Sequence, residues 1–129
     1  MECLVYWSKA SEGTGTGDVF DIVDASARNN PARDITGFLI FDEDRFFQLI
    51  EGPGDALTAL MERLGSDPRH HSVEILERRD AVERWFPTWK MKQLISFNSP
   101  PAMEELREIL HAKEGGDRVL KLLNGFLNL

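Results

Sequence analysis

One segment, RFFQLIE from Arg45 to Glu51, constrains the fold more than any other part of the sequence. In an extended strand, successive side chains point to opposite faces. One face carries Phe46, Gln48 and Ile50, and the other carries Phe47 and Leu49. Because both faces are apolar, we predict a buried, central strand with an amide in its middle. A buried amide has up to four hydrogen bonds to satisfy, and leaving them unmet costs about 1–3 kcal/mol. Gln48 is therefore either a structural glutamine bonded to backbone or a ligand contact.

A second buried polar side chain is expected on the first predicted strand, Cys3–Trp7. Alternation puts Leu4, Tyr6 and Ser8 on one face, so the Tyr6 hydroxyl should be buried and should need a partner. Tyr6 and Gln48 could satisfy each other on neighbouring strands, beneath a helix that ends in two asparagines. The residues alone leave open whether these groups form a structural pair or line a ligand pocket.

Apolar periodicity and turn residues predict the other elements. The predicted strands are Cys3–Trp7, Ile35–Phe41, Arg45–Glu51, Val73–Arg79 and Met91–Ile95. Helices are predicted to start near Asp18, Asp55, Ser99 and Asp117. The order β-α-β-β-α-β-β, followed by two helices, is typical of an α+β fold of the ferredoxin-like kind. We therefore expect a mostly antiparallel sheet with its two inner helices on one face.

The two C-terminal helices carry more apolar residues than a solvated helix tolerates. We expect most of them to pack on the sheet face opposite the inner helices, because an exposed apolar face favours association. The strand residues expected under them are Val5, Trp7, Phe47 and Leu49. One small face need not absorb every apolar residue. The remainder predicts a homo-oligomer, at least a dimer, with these helices at or beside the interface.

Length and charge exclude several classes of function. The 129 residues allow one domain and a short appendage, and no apolar run approaches the ~20 residues that cross a bilayer. A net charge of −7 argues against nonspecific binding to nucleic acid or to an anionic membrane. The single cysteine, Cys3, can form neither an internal disulfide nor a zinc cluster. No signal-peptide pattern is present at the start, so we expect a cytoplasmic protein.

Two polar segments could hold a phosphate group. The run Gly13–Gly17 (GTGTG) lacks the third glycine of a dinucleotide motif and the Walker lysine, so we interpret it as a loop. The segment Asp67–His71 has two adjacent histidines, which do not share a face and predict no metal site. A helix-ending turn is the favoured interpretation there. The alternative is that Arg63, Arg69 or His70 pairs with a ligand phosphate.

Five sequence blocks together resemble a known family. They are Leu4–Ser8 (LVYWS), Asn29–Asn30 with Ile35–Gly37 (ITG), Phe46–Gly52 (FFQLIEG), Asp67–His70 (DPRH) and Arg84–Met91 (RWFPTWKM). Blocks of this kind occur in this order, with compatible spacings, in the BLUF domains, which are blue-light sensors that use flavin. The resemblance implies a flavin-binding photosensor domain over residues 1–97. Residues 98–129 would form a C-terminal helical extension outside the shared domain.

The resemblance also implies roles for individual residues. Tyr6 matches the photoactive tyrosine and Gln48 the switching glutamine. Trp89 and Met91 match a segment whose position relative to the flavin reports the switch. The flavin, FAD with FMN as the alternative, would lie between the two inner helices, with Asn30 at the polar edge of its ring. The implied flavin-binding residues are Ile22, Ser26, Asn29, Asn30, Gln48, Arg63, Asp67, Arg69 and His70, the last four near the ribityl phosphate.

A photoreceptor, rather than an enzyme, is what the resemblance implies. On excitation, Tyr6 would give up an electron and a proton, which return and leave a rearranged hydrogen-bond network around Gln48, whose amide rotates or tautomerises. With only about 30 residues after the sensor, the signal would leave through the fifth strand and the C-terminal helices to an unidentified partner chain. The alternatives are a small flavin-dependent oxidoreductase, for which no nicotinamide fingerprint is present, and a ligand-free ferredoxin-like interaction module.

Overall fold

The computed structural model describes residues 1–11, 34–66, 70–95 and 100–127. In chain order the described elements are β1 (Glu2–Ala10), β2 (Thr36–Asp42), β3 (Arg45–Gly52), α1 (Gly54–Gly65), β4 (His70–Asp80), β5 (Lys90–Ile95), α2 (Pro100–Ala112) and α3 (Gly116–Leu127). The five predicted strands are confirmed, and so are the helices predicted near Asp55, Ser99 and Asp117. The helix predicted near Asp18 and the loop Gly13–Gly17 lie outside the described residues.

The strands form one sheet with the order β4-β1-β3-β2-β5. The pairs β4–β1, β1–β3 and β3–β2 are antiparallel, and β5 runs parallel to β2. The first four strands therefore have the order of a ferredoxin-like sheet, and the predicted mostly antiparallel arrangement is confirmed. Strand β3 is the middle strand of the five, as its two apolar faces predict.

A tight turn joins β2 to β3 and sets their register. Glu43 and Asp44 have φ values of 46° and 66°, and positive φ at both central positions suits the twist of a two-residue hairpin. The turn pairs Asp42 with Arg45, so Leu39 lies opposite Gln48 further along the strands. Side chains on β2 and β3 consequently alternate in step between the two faces of the sheet.

Two hydrophobic clusters cover the two faces. The cluster on the first face, which we call the Tyr6 face, comprises Leu4, Tyr6, Ile35, Leu39, Phe46 and Ile50 with Leu57 and Leu60 of α1. The opposite face, which we call the Phe47 face, carries Cys3, Val5, Phe38, Ile40, Phe47 and Leu49. Residues from the β4–β5 connection and from α2 and α3 pack on it, namely Trp85, Phe86, Trp89, Met103, Leu106, Leu110, Val119, Leu123 and Phe126. The predicted position of the C-terminal helices is thus confirmed.

The helices α2 and α3 form a closely packed pair. A Cβ atom on Gly116 would lie 1.7 Å from the Leu110 carbonyl oxygen, so the turn between the helices requires glycine at this position. Among the described residues, the exposed large hydrophobic side chains are Met1, Ile75 and Val82, none of which belongs to α2 or α3. Ile109, Leu120, Leu122 and Leu127 are only partly buried against the Phe47-face cluster, so these helices keep a small apolar surface, and self-association stays a prediction. None of the described helices is long and apolar enough to cross a membrane.

Candidate functional site

Tyr6 and Gln48 lie directly opposite each other on the paired strands β1 and β3. The Tyr6 hydroxyl donates a hydrogen bond to Gln48 Oε1, so the contact predicted between these residues is confirmed. Both side chains are buried, with exposed fractions of 2% and 3%. Leu4 and Ile50, also paired, lie on the same face. The two residues form a polar pair inside an apolar cluster.

This pair has chemistry that a purely apolar core lacks. A phenol can release an electron together with its hydroxyl proton. An amide oxygen accepts the hydrogen bond that this hydroxyl donates. The Gln48 amide has distinct donor and acceptor ends, so exchanging them would turn an NH₂ group toward Tyr6 in place of the oxygen. In a low-dielectric interior, such a rearrangement has a larger electrostatic effect than it would have in water. The pair can therefore exist in two hydrogen-bonding arrangements with little change in shape.

Most of the residues predicted to hold a flavin lie outside the described residues. These are Ile22, Ser26, Asn29, Asn30, Asp67 and Arg69. Arg63 is exposed in the last turn of α1, and His70 is the first residue of β4, with only its backbone described. α1 itself packs on the Tyr6 face, through Leu57 and Leu60. The binding roles of all these residues stay predictions.

Trp89 is not brought together with Tyr6 and Gln48. Its side chain lies on the opposite side of the sheet, in the Phe47-face cluster, and is 7% exposed. The ring centroid is 4.8 Å from that of Phe86 and 6.3 Å from that of Phe38. Met91 follows on β5, where only its backbone is described. In this arrangement, the indole and the Tyr6 side chain belong to clusters on opposite faces of the sheet.

A buried carboxylate, Glu51, is a polar feature that sequence reasoning missed. Its exposed fraction is 1%, and its oxygens accept three hydrogen bonds. The Thr36 hydroxyl donates at 3.0 Å, the Trp85 backbone N–H at 2.9 Å and the Phe86 backbone N–H at 2.7 Å. The signal was available, because Glu51 continues the alternation that puts Phe47 on an apolar face.

Arg84 completes this polar cluster. One guanidinium nitrogen, Nη1, donates to Thr36 Oγ1 at 2.8 Å and to the Glu51 carbonyl oxygen at 3.1 Å. The other, Nη2, donates to the Asp34 carbonyl oxygen at 2.6 Å and lies 2.9 Å from the Asp34 carboxylate. The connection between β4 and β5 is thereby attached to the start of β2 and the end of β3.

Cys3 is the one thiol of the chain and lies on the Phe47 face, away from Tyr6. Burial raises the pKa of this thiol to about 12, because a thiolate would lose its hydration. Cys3 is therefore protonated at neutral pH and poorly nucleophilic. It supplies no chemistry to the Tyr6–Gln48 pair.

Comparison with known proteins assigns a family to this geometry. Residues 1–92 match the family model described as "BLUF: Sensors of blue-light using FAD". The photoactivated adenylate cyclase subunit beta of Euglena gracilis is 31% identical over 115 residues, which cover 84% of this chain and 13% of that protein. The chain therefore spans only about an eighth of the length of this curated relative.

Solved structures give the same family. The BLUF protein BlrB, in its dark state, is 30% identical with a TM-score of 0.72, and the match covers 81% of this chain and 82% of BlrB. Klebsiella pneumoniae BlrP1, solved with FMN and cyclic diGMP, is 32% identical with a TM-score of 0.81. That match covers 98% of this chain, which includes the C-terminal helices, and 34% of BlrP1. This chain belongs to the BLUF family, the sensors of blue light using FAD.

Proposed function

We propose that this chain is a blue-light photoreceptor in which Tyr6 and Gln48 form the light-sensitive pair. The observation that carries the proposal is their hydrogen bond, buried between the two inner strands of a chain that belongs to the BLUF family. A tyrosine and a glutamine bonded in this way offer an electron and proton donor beside a group with two hydrogen-bonding arrangements. These are the two properties that a reversible optical switch requires.

The residues of the Tyr6 face fit a flavin. The pair brings a phenol and an amide into a largely apolar face, and an aromatic ring system with a polar edge needs both kinds of surface. Ile22, Ser26, Asn29 and Asn30 would hold the ring, and Arg63, Asp67, Arg69 and His70 would surround the phosphate end. FAD is the form we propose, with FMN, which the BlrP1 structure contains, as the alternative. When bound, the flavin would absorb blue light and accept an electron from a nearby donor.

The chain's own residues then perform the switch. With flavin bound, Tyr6 would give it an electron, and the Tyr6 hydroxyl proton would follow to the flavin by way of the hydrogen bond to Gln48 Oε1. When both return to Tyr6, Gln48 is left rotated or tautomerised, with its donor and acceptor ends exchanged. The exchange replaces one set of hydrogen bonds by another, which changes the absorption without a lasting covalent bond. This role makes the chain a sensor and not an enzyme.

The signal would leave the sensor through β5, α2 and α3. Phe47, the neighbour of Gln48 on β3, has its ring 5.4 Å from that of Phe126 on α3. Lys92 of β5 lies 3.5 Å from Glu105 of α2, measured from Nζ to Oε2. These contacts support residues 1–97 as the sensor and residues 98–129 as the segment that passes the change to an unidentified protein partner.

A homo-oligomer, at least a dimer, stays part of the proposal. Leu123 and Phe126 are fully buried, so an interface on α3 would use its exposed and partly exposed residues, such as Lys121 and Leu122. Light scattering on the full chain, in darkness and under blue light, tests this point. A chain that is strictly monomeric at micromolar concentration in both conditions contradicts it.

The experiment that tests the function is a light-minus-dark absorption spectrum of the full chain purified with its flavin. We expect a yellow protein whose absorption shifts to longer wavelength under blue light and returns in the dark. Chromatography of the released flavin distinguishes FAD from FMN. A colourless protein that cannot be reconstituted would favour the interaction module, and steady oxidation of a nicotinamide donor would favour the oxidoreductase.

Two variants make the test specific to the pair. Tyr6→Phe keeps the ring and should retain flavin but lose the reversible shift. Trp7→Phe is the matched control, because Trp7 is the adjacent aromatic residue and packs on the Phe47 face. It should keep the shift. A Tyr6→Phe protein with the complete wild-type response would refute the assignment.

A further inference from the structure

One buried side chain, Glu51, holds two successive backbone amides of the β4–β5 connection, which Arg84 also attaches to the sheet. We call this attachment the Glu51 joint: the Glu51 carboxylate with the backbone N–H groups of Trp85 and Phe86 and the Thr36 hydroxyl. A carboxylate with an exposed fraction of 1% is stable only when donors replace its lost hydration. Bonds to a charged acceptor are stronger than bonds between neutral groups. The joint therefore holds two successive backbone amides firmly against the end of β3.

The segment held by the joint leads directly to β5. The Trp89 N–H donates to the Phe86 carbonyl oxygen at 3.2 Å, and the Trp89 carbonyl oxygen accepts from the Gly37 N–H at 2.8 Å. The rings of Phe86 and Trp89 pack together in the Phe47-face cluster, under α2 and α3. Glu83, in the same connection, lies 3.5 Å from Lys113, which follows α2. A shift of the joint would therefore move the start of β5 and the contacts of the helices.

Glu51 also lies on the strand that carries Gln48. The two residues are three positions apart, about 10 Å along an extended strand, and their side chains point to opposite faces. Strand β3 is hydrogen-bonded on both sides, to β1 and β2. Gln48 and Glu51 therefore belong to one backbone segment that is fixed to both of its neighbours, so a displacement of that segment would move both residues. Trp89 lies in the cluster on the opposite face of the sheet, and the route along β3 does not require a contact between Trp89 and Gln48.

We propose that Glu51 is the positioning residue that couples the Gln48 switch to the C-terminal helices. The proposal rests on the proposed function, since it assigns the route by which that light response leaves the sensor. It assigns no contact between Glu51 and the flavin. Glu51 acts through the amides of Trp85 and Phe86, whose positions determine where β5 and the aromatic cluster begin.

The carboxylate, and not only the size of the side chain, is required. Oε1 accepts from Phe86 and Thr36, and Oε2 accepts from Trp85. In Glu51→Gln, one oxygen becomes an NH₂ group, which faces the Trp85 N–H in one orientation and the Phe86 N–H with the Thr36 hydroxyl in the other. At least one bond is lost and the charge is removed, while the volume stays the same. This substitution loosens the joint without creating a cavity.

The test measures the optical switch and the helix response in the same flavin-loaded chain. Light-minus-dark absorption reports the switch, and light-minus-dark hydrogen exchange reports α2, α3 and the amides of Trp85 and Phe86. In Glu51→Gln, we expect these two amides to exchange about tenfold or more faster in the dark, because a charged acceptor is lost. The red shift per bound flavin should stay at the wild-type value, and the light-induced change in α2 and α3 should be lost.

Glu77→Gln is the matched control. Glu77 is a largely buried carboxylate on β4 that lies 3.5 Å from Arg118 of α3, outside the joint and off the strand of Gln48. It should keep the red shift and the light-induced change in α2. If Glu51→Gln does not fold, Thr36→Val, which removes one donor to Glu51 and one acceptor for Arg84, should keep the red shift and weaken the helix response.

The outcomes separate this inference from the proposed function. No red shift in the unaltered chain refutes the photoreceptor function and the inference with it. A wild-type red shift with an undiminished helix response in Glu51→Gln refutes the inference alone. Loss of the red shift in Glu51→Gln, or loss of the α2 response in Glu77→Gln as well, also overturns it, because the effect would not be specific to the coupling route.

Discussion

The hydrogen bond between Tyr6 and Gln48 makes a quantitative prediction about stability. In a double-mutant cycle, Tyr6→Phe removes the donor and Gln48→Leu removes the acceptor. Removing one partner of a buried bond costs about 1–3 kcal/mol, whereas replacing both by apolar groups of similar shape is nearly neutral. Each single variant should therefore lower the free energy of unfolding by about 1–3 kcal/mol. The double variant should lose less than the sum, by a coupling energy of at least about 1 kcal/mol.

Urea unfolding, followed by tryptophan fluorescence, measures the four proteins of the cycle. Bound flavin adds RT ln(1 + [L]/Kd) to the apparent free energy of unfolding, where [L] is the concentration of free flavin. The cycle is therefore run at two flavin concentrations, and only the part of the coupling energy that is the same at both is assigned to the pair. Leu123→Ala, on the opposite side of the sheet, is the control partner for Tyr6→Phe. These two changes share no contact and should add within about 0.5 kcal/mol.

The same four proteins test the photochemistry. Each single variant should already lose the reversible red shift, so the double variant should lose nothing more. A coupling energy below about 0.5 kcal/mol would show that the two residues are energetically independent and would refute the reasoning from their hydrogen bond. A red shift that survives in Gln48→Leu would refute the switching role even if the coupling energy is large.

Three further predictions concern packing, protonation and flavin retention. Phe126→Ala should lower the free energy of unfolding by about 3–5 kcal/mol, because the fully buried Phe126 ring contacts Phe47 and the Arg45 guanidinium. Chemical denaturation measures this loss, and a value below about 1 kcal/mol would contradict the prediction. Cys3, whose pKa is raised to about 12, should resist alkylation at pH 8 in the folded chain. Because the folded state holds this proton more tightly than the unfolded state, stability should fall as the pH rises from about 9 towards 12, and less steeply in Cys3→Ala. Asn30→Ala should weaken flavin binding by about 1 kcal/mol or more, and equal affinity in a titration would contradict the predicted contact.

Alternation along the strands was sufficient to predict much of the fold and the central pair. Two apolar faces around Gln48 required a central strand, and the same periodicity put Tyr6 on a matching face of β1. The position of Trp89 could not be predicted in this way, since it lies in an irregular connection with no periodicity. Its side is determined by tertiary contacts, namely the bond to the Gly37 N–H and the packing against Phe86.

The Glu51 joint shows a second limit of sequence reasoning. Glu51 and the amides that it accepts are 34 and 35 residues apart in sequence, so no local pattern indicates that they meet. Backbone donors also leave no trace in residue identity, because every residue except proline carries one. Sequence reasoning could predict the burial of the carboxylate from alternation, but its partners follow only from the path of the chain between β4 and β5.

The separation of the aromatic residues by the sheet places two kinds of optical reporter on its opposite sides. All three tryptophans, Trp7, Trp85 and Trp89, lie in or against the Phe47-face cluster, whereas the single tyrosine, Tyr6, lies on the other face. Tryptophan emission would thus report the environment beneath the C-terminal helices, and flavin absorption would report the Tyr6 side. Recording both after a brief light pulse would time the passage of the signal through one layer of β-sheet, without attaching any label to the chain.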